Sequence, residues 1–428
     1  MFTSNLYIIT YIVLWALTFS YYWKKKKVFG AGNLIIASYL VYAILSFFLY
    51  NHPYYQWNET DNNLKLFPFI YLFLAMLIFL QPVLKYDETC NIQQPSPSLL
   101  NFLSYLFIVF SILVSPFVIS KLYDGIFYML VLDSGAEELY ADAHAGAISA
   151  QDNSLFYILC HGLFDIFSDF GILMFFMQAS RAETKRRLLV GVGFGVFLGM
   201  VETLSIGLRT QFVMKFLLII ASYFLFRHHL PTRINSAFKK VGYVLIAFVA
   251  FFLITINTSR FSYKTYDSSY QLLNYAGMAS LQFDKYCLDA GGTRNGDRTF
   301  NYFKKWLRFK NVPDGLQGTR DRYSYMKLDD SKFSTYVGDF ALDFGPIGAA
   351  LILCMSSFAF SHLTRRRGNR ILFHQLILIF FVMAVCVQGG MYLFYYSMFR
   401  NYYIVYYIMF YFIFKVDYDF RKKSLSAK

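Results

Sequence analysis

Long apolar runs separated by short charged stretches dominate the chain, and none shows the ten-residue alternation that marks a barrel strand. Runs near 6–23, 34–50, 66–84, 99–120, 155–179, 188–206, 210–226, 241–257, 336–362, 371–394 and 401–414 are each predicted to be a helix. A helix needs roughly 20 apolar residues to cross the hydrocarbon, and backbone groups in lipid find partners only within helices or closed barrels, so about eleven transmembrane helices are expected. The predicted fold class is all-α: a polytopic transmembrane helical protein forming a single domain over 1–428. One large loop falls at 258–335 and a smaller one at 121–153.

Basic residues set the orientation, because short cationic loops stay in the cytoplasm. They crowd alternate loops: 24–27, Lys85, Arg181 with 185–187, Arg227 with Arg233, Lys239 and Lys240, 365–367 with Arg370, and the tail from Lys415. The opposite short loops hold only Lys65 and Lys121, so the amino terminus is predicted outside, the carboxyl terminus inside, and both larger loops outside.

Composition agrees with lipid as the solvent: 57% of residues are hydrophobic and 15% charged. The formal net charge of +14 reads as a topogenic signal, and a nucleic-acid partner is not expected. The first span has no basic residues before it, no small-residue cleavage site after it and 24–27 directly beyond, so it is expected to be retained. Cys160, Cys354 and Cys386 fall in spans, Cys90 inside and Cys287 outside, which implies neither a disulfide nor a zinc site.

The 121–153 loop is acidic and opens with an amphipathic stretch at 122–132 suited to a membrane surface. The 258–335 loop is basic and rich in tyrosine and glycine. Within it, aromatics alternate with Lys304, Lys305 and Arg308 over 300–309 as on an interfacial helix that meets anionic headgroups. A loop this long exceeds what connection requires, so a working surface outside the membrane is expected.

Ionisable groups inside spans cost several kcal/mol unless paired or hydrated, which makes each a candidate for function. His161, Asp165 and Asp169 recur every four residues on one helical face; Glu202 lies near the outer end of its span. Arg209 opens the following span, Lys215 lies about 9 Å further in, and Asp339 and Asp343 share a face below the outer surface. The plain alternative is that they pair with one another, Glu202 with Arg209 or Lys215 and Asp165 with a tyrosine, to hold helices together. Most cluster toward the outer side, so an external-face active site is predicted.

Three sequence pieces carry a resemblance. Ile206-Gly207-Leu208-Arg209-Thr210 starts a helix from outside, Ser259-Arg260-Phe261 opens the large outer loop, and Asp339-Phe340-Ala341-Leu342-Asp343-Phe344-Gly345-Pro346-Ile347-Gly348 opens the next span. In this order and at these positions the chain resembles Wzy-type O-antigen and capsular repeat-unit polymerases, over roughly 188–414 by motif and before that by hydropathy alone. The resemblance implies a bacterial inner-membrane glycosyltransferase whose large loop is periplasmic. Its donor and acceptor would be undecaprenyl-pyrophosphate-linked glycans. Membrane lipids and a chain-length regulator are the other partners implied, and no cofactor is expected.

The chemistry asks for fixed cations to hold the departing pyrophosphate and for a base to deprotonate the acceptor hydroxyl. Arginine's forked donors suit phosphate, which makes Arg209 and Arg260 first choices and Arg400, Arg320 and Arg322 second. Candidate bases are Glu202 first and His161 second, then Asp339 and Asp343, whose expected role is chiefly to cap and turn a helix. No outer Asp-x-Asp pair of the kind that holds a nucleotide-sugar metal is present, so a metal-independent reaction is expected. The large loop lacks the histidine common in O-antigen ligases, which favours polymerase over ligase; the Arg-x10-Gly spacing of some polymerases is missing too, Gln271 standing in the glycine's place. The alternative from another class is a lipid-linked oligosaccharide flippase or other transporter, against which the outward clustering of charges argues.

Overall fold

The computed structural model describes residues 2–58, 63–131, 155–205, 209–240, 242, 268–327, 332–366, 368–393 and 401–426. Helices account for most of it: α1 (Phe2–Lys26), α2 (Ala31–Tyr50), α3 (Pro53–Asn58), α4 (Leu66–Lys85), α5 (Pro97–Val131), α6 (Leu155–Ala179), α7 (Arg186–Ser205) and α8 (Arg209–Phe226). There follow α9 (Ser268–Gln282), a π-helical turn (Phe283–Cys287), α10 (Asn301–Trp306), α11 (Gly315–Arg322), α12 (Thr335–Leu363), α13 (Phe373–Gly389) and α14 (Tyr402–Ser426). The described strands are three residues each, Asn91–Gln93 and Arg370–Leu372.

By length and composition α1, α2, α4, α5, α6 and α12 are fit to cross a membrane; the apolar parts of α8 and α13 are shorter. The chain is thus a helical membrane protein. The run expected at 241–257 lies outside the described residues except for residue 242, as do 132–153 of the smaller loop and 258–267 of the larger.

Packing divides the chain into two compact units. The first comprises Met1–Asp87, Ser269–Ile371 and Gln375–Tyr411; the second comprises Glu88–Ser268, Leu372–His374 and Phe412–Lys428. In the first, α1, α2 and α4 close around Trp15, whose ring meets Tyr39 at 5.0 Å and Phe73 at 4.8 Å. Lipid supplies no hydrophobic drive between helices, so close packing and interhelical hydrogen bonds must hold them. Ser46 Oγ meets Ser280 Oγ at 2.6 Å, bringing α9 onto α2. Gly277 permits that approach, since a Cβ there would lie 2.7 Å from the Leu45 carbonyl.

The second unit is organised by glycines four residues apart on α7. A Cβ on Gly191 would lie 2.6 Å from Ile108, and one on Gly195 would lie 2.5 Å from Ser111 Oγ, so these positions let α7 seat against α5. One turn further, Gly199 faces Ser168 and Lys215. Phe107 of α5 fills the remaining space, stacking on Phe164 at 5.8 Å and Phe167 at 5.9 Å of α6. This close fit delivers Glu202, near the end of α7, to His161 near the start of α6.

Candidate functional site

Within the first unit a buried ionic network ties a segment of the large loop to α12. The helix is interrupted at Gly345, where φ is 74° and ψ 167°, a left-handed-side conformation that glycine adopts without a Cβ penalty. Pro346 supplies no N–H, so the Leu342 carbonyl four residues earlier loses its helical partner. Arg294 N–H takes that carbonyl at 2.9 Å, and Gly296 N–H takes the Asp343 carbonyl at 3.1 Å. Tyr71 Oη donates to the Pro346 carbonyl at 2.5 Å.

The side chains follow the backbone. Asp343 accepts from Arg294 Nε at 2.7 Å and from Thr299 N–H at 2.7 Å. Asp339, one turn earlier, accepts from Leu393 N–H at 2.8 Å and lies 3.6 Å from Arg294 Nη2. All three ionic side chains are buried, as is Arg298. Asp339 and Asp343 are therefore engaged in seating the loop segment, and neither caps α12, whose N-cap position is Ser334.

Asp297 anchors the next layer, meeting Lys304 Nζ at 2.6 Å and Arg322 Nη1 at 3.5 Å and accepting from Tyr323 Oη at 2.5 Å. Burial, together with Asp297 as neighbour, pushes the Tyr323 phenol up. Arg322 is 42% exposed and also donates to the Asn311 carbonyl; Arg320 Nε is buried without a hydrogen-bond partner among the described residues. These two arginines on α11 are the sequence-nominated cations whose side chains can be placed. Arg209 begins α8, but its side chain lies outside the described residues, and Arg260 and Arg400 lie outside them altogether.

Asp284 sits in the π-helical turn and is nearly sealed from solvent. Its Oδ1 accepts Lys65 N–H at 2.9 Å while its Oδ2 is buried without a hydrogen-bond partner among the described residues. Burial pushes the carboxyl up to about 7, against the pull of the Lys65 amide and the Lys65 and Lys285 charges.

Within the second unit, His161 stands between two carboxylates. Its Nε2 is hydrogen-bonded to Glu202 Oε1, and its Nδ1 lies 3.5 Å from Asp165 Oδ2. Tyr157, one turn before on α6, packs on the imidazole at 5.4 Å and accepts from Lys121 Nζ at 3.3 Å. Glu202 is mostly buried, whereas His161 and Asp165 are part-exposed. Lys215 donates to Ser168 Oγ at 2.7 Å and to the Gly199 carbonyl at 3.0 Å. The partner nearest Glu202 is thus His161 rather than the lysine, and Asp165 pairs with the imidazole. Asp169 is buried further along α6.

One donor atom from each of His161, Asp165 and Glu202 lies within 4.8 Å of the others, a grouping able to hold a metal ion. The same three groups also suit proton transfer. Each imidazole nitrogen already faces its own carboxylate, and the Lys121 and Lys215 ammonium charges both act on Glu202. An imidazole between two carboxylates can take a proton from one side while its other nitrogen stays hydrogen-bonded. Comparison with models of protein families, with curated proteins and with solved structures finds no match for the chain.

Proposed function

We propose that the chain is a membrane-embedded glycosyltransferase that polymerises lipid-pyrophosphate-linked oligosaccharide repeat units at the outer face of a bacterial cytoplasmic membrane, with about eleven crossings and a periplasmic 258–335 loop. The resemblance to Wzy-type polymerases supplies the reaction, and the His161–Glu202 pair is the observation that carries it. In the proposed step, the acceptor sugar's hydroxyl oxygen attacks the anomeric carbon of the donor glycan. The bond from that carbon to the lipid pyrophosphate breaks, and the pyrophosphate leaves with the bonding electrons. The His161–Glu202 pair accepts the hydroxyl proton, the charge being shared between imidazole and carboxylate. The leaving pyrophosphate is assigned to arginines: Arg209 and Arg260 from the resemblance, with Arg320 and Arg322 as further candidates.

The test is extension of purified lipid-linked repeat units by the protein in nanodiscs, read as a ladder of products longer than one repeat. A ladder supports the proposal; intact repeat units with folded protein overturn it. The same assay with a lipid A acceptor distinguishes a ligase. For orientation, a reporter active only outside should work when fused near Thr299 and fail near Ser236; the reverse would overturn the proposed outer face.

A carrier of lipid-linked glycans is the second reading. Ionisable groups such as His161, Asp165, Glu202 and Lys215 on membrane helices are also the means by which carriers couple movement to protons. Proton-dependent movement of a labelled lipid-linked glycan in proteoliposomes, without any ladder, would favour it.

A further inference from the structure

From the last residue of α10 onward the chain presents Trp306, Leu307, Arg308, Phe309 and Lys310 in succession, all exposed. Trp306 is 81% exposed, Leu307 64% and Phe309 57%. Exposed apolar side chains are ordinary on helices that face lipid, but these belong to the large loop, outside the predicted spans. The local backbone explains why they come out together. Phe309 N–H returns to the Lys304 carbonyl at 2.9 Å and Arg308 N–H to the Lys305 carbonyl at 3.0 Å, the paired bonds of a Schellman ending. Arg308 occupies the left-handed position with φ 57°, where glycine is usual.

Charge distinguishes this patch from an apolar surface awaiting a protein core. Lys304 and Lys305, earlier in α10, are taken up by Asp297 and Asp314 at 2.6 Å each. Arg308 and Lys310 have no carboxylate partner among the described residues. The patch thus alternates bulky apolar groups with uncompensated cations. Its place in the fold adds the second observation. Tyr302 N–H donates to Asn401 Oδ1 at 3.1 Å, and the Tyr302 and Tyr402 rings are 4.6 Å apart. Asn401 and Tyr402 stand where α14 begins, at the start of the last span predicted from the sequence, so α10 is fastened beside that predicted membrane entry.

We propose that this patch docks on the outer-leaflet lipid surface, with Trp306, Leu307 and Phe309 in the interfacial region and Arg308 and Lys310 against anionic phospholipid headgroups. Tryptophan favours that boundary, and cations beside it are drawn to anionic lipid. The inference is independent of the reaction proposed above, and it applies equally to a polymerase and a carrier.

The test uses the full chain in nanodiscs of phosphatidylcholine, with and without phosphatidylglycerol, containing lipids brominated near the headgroup end of the acyl chains. The Trp306 contribution to fluorescence is the difference between wild type and Trp306→Phe. That component should be quenched in phosphatidylglycerol discs, and the double variant Arg308→Glu/Lys310→Glu should lose most of the quenching while keeping its thermal unfolding temperature. If that variant fails to fold, Arg308→Gln/Lys310→Gln reads the same term. An unquenched Trp306 component in the wild type would overturn the proposal, whether the patch faces water or a second protein. Quenching that is equal in both lipids and unchanged by charge reversal would overturn the assignment of an anionic surface.

Discussion

Arg294 donates from Nε to Asp343 Oδ1 at 2.7 Å, and the two side chains are 1% and 0% exposed. With Thr299 N–H on the other carboxylate oxygen, Asp343 holds both the charge and the path of the loop segment. Removing one partner of a buried pair leaves an uncompensated charge and typically costs about 3–5 kcal/mol, whereas replacing both with apolar groups is often close to neutral. Asp343→Leu or Arg294→Met alone should therefore lower thermal stability in detergent sharply, and the Arg294→Met/Asp343→Leu pair should recover part of the loss. Hydrogen exchange across 294–299 should rise in both single variants. Single variants as stable as the wild type would remove the pair as an anchor.

A contrast between two glycines tests how α7 is seated. Alanine at Gly195 would place its Cβ 2.5 Å from Ser111 Oγ and 2.7 Å from the Phe107 ring, whereas Gly162 has nothing within 4 Å of the same position. Overpacking costs about 1–3 kcal/mol, while alanine in an open helical position gains up to about 1 kcal/mol over glycine. Gly195→Ala should lower the unfolding temperature and Gly162→Ala should hold or raise it. Equal behaviour of the two would mean that α5 and α7 are not held by this contact.

Helices were legible in the sequence where an apolar run alone decides the element: the run at 155–179 matches α6 residue for residue, and that at 66–84 ends one residue short of α4. The break in α12 was less visible. That Gly345-Pro346 frees two carbonyls for a loop segment depends on residues 294–296 returning from far along the chain. Arg294 and Arg298 were missed for the same reason. Their signal was indirect: two carboxylates four residues apart at Asp339 and Asp343, in an apolar run, call for cations from elsewhere. The four-residue spacing of His161 and Asp165 was readable as a shared face. The His161–Glu202 bond was not, since its register is fixed by how the α7 glycines pack, which no single-chain pattern specifies.

Asp284 gives a pH dependence with a definite sign. Its folded pKa, raised to about 7 by burial, lies above the unfolded value of about 3.9, so the folded state binds more protons between the two. Stability linked to this group is fullest below about pH 4 and falls as pH rises toward about 7, by at most about 4 kcal/mol for a shift of this size. The Lys65 amide and the Lys65 and Lys285 charges already oppose the shift. Asp284→Asn should flatten the fall, so the variant's advantage in unfolding temperature should grow from pH 5 to about pH 7.5. A difference between variant and wild type that does not change with pH would mean that the carboxyl does not titrate in this window.

Glu202 and His161 can be separated from a merely structural pair by what their loss does to turnover. If the imidazole takes the acceptor proton, His161→Ala removes the base, and a lost general base costs about 10²–10⁴-fold in rate. Glu202→Gln keeps the shape and a hydrogen bond but removes the charge that stabilises the imidazolium, so it should fall in the same range. Asp165, 3.5 Å from Nδ1 and more exposed, orients the ring from the other side, and Asp165→Asn should cost less than either. A pair that only joins α6 to α7 predicts another result: lower yield and a lower unfolding temperature, with the surviving molecules turning over at nearly the normal rate. The deciding measurement is chain extension per folded molecule in nanodiscs, with the folded fraction taken from size-exclusion and thermal unfolding. Near-normal extension by both Glu202→Gln and His161→Ala would exclude the pair as the base. Because Asp339 and Asp343 are already held by Arg294 and by backbone amides, the exposed carboxylates of the outer loop would then be the groups to test.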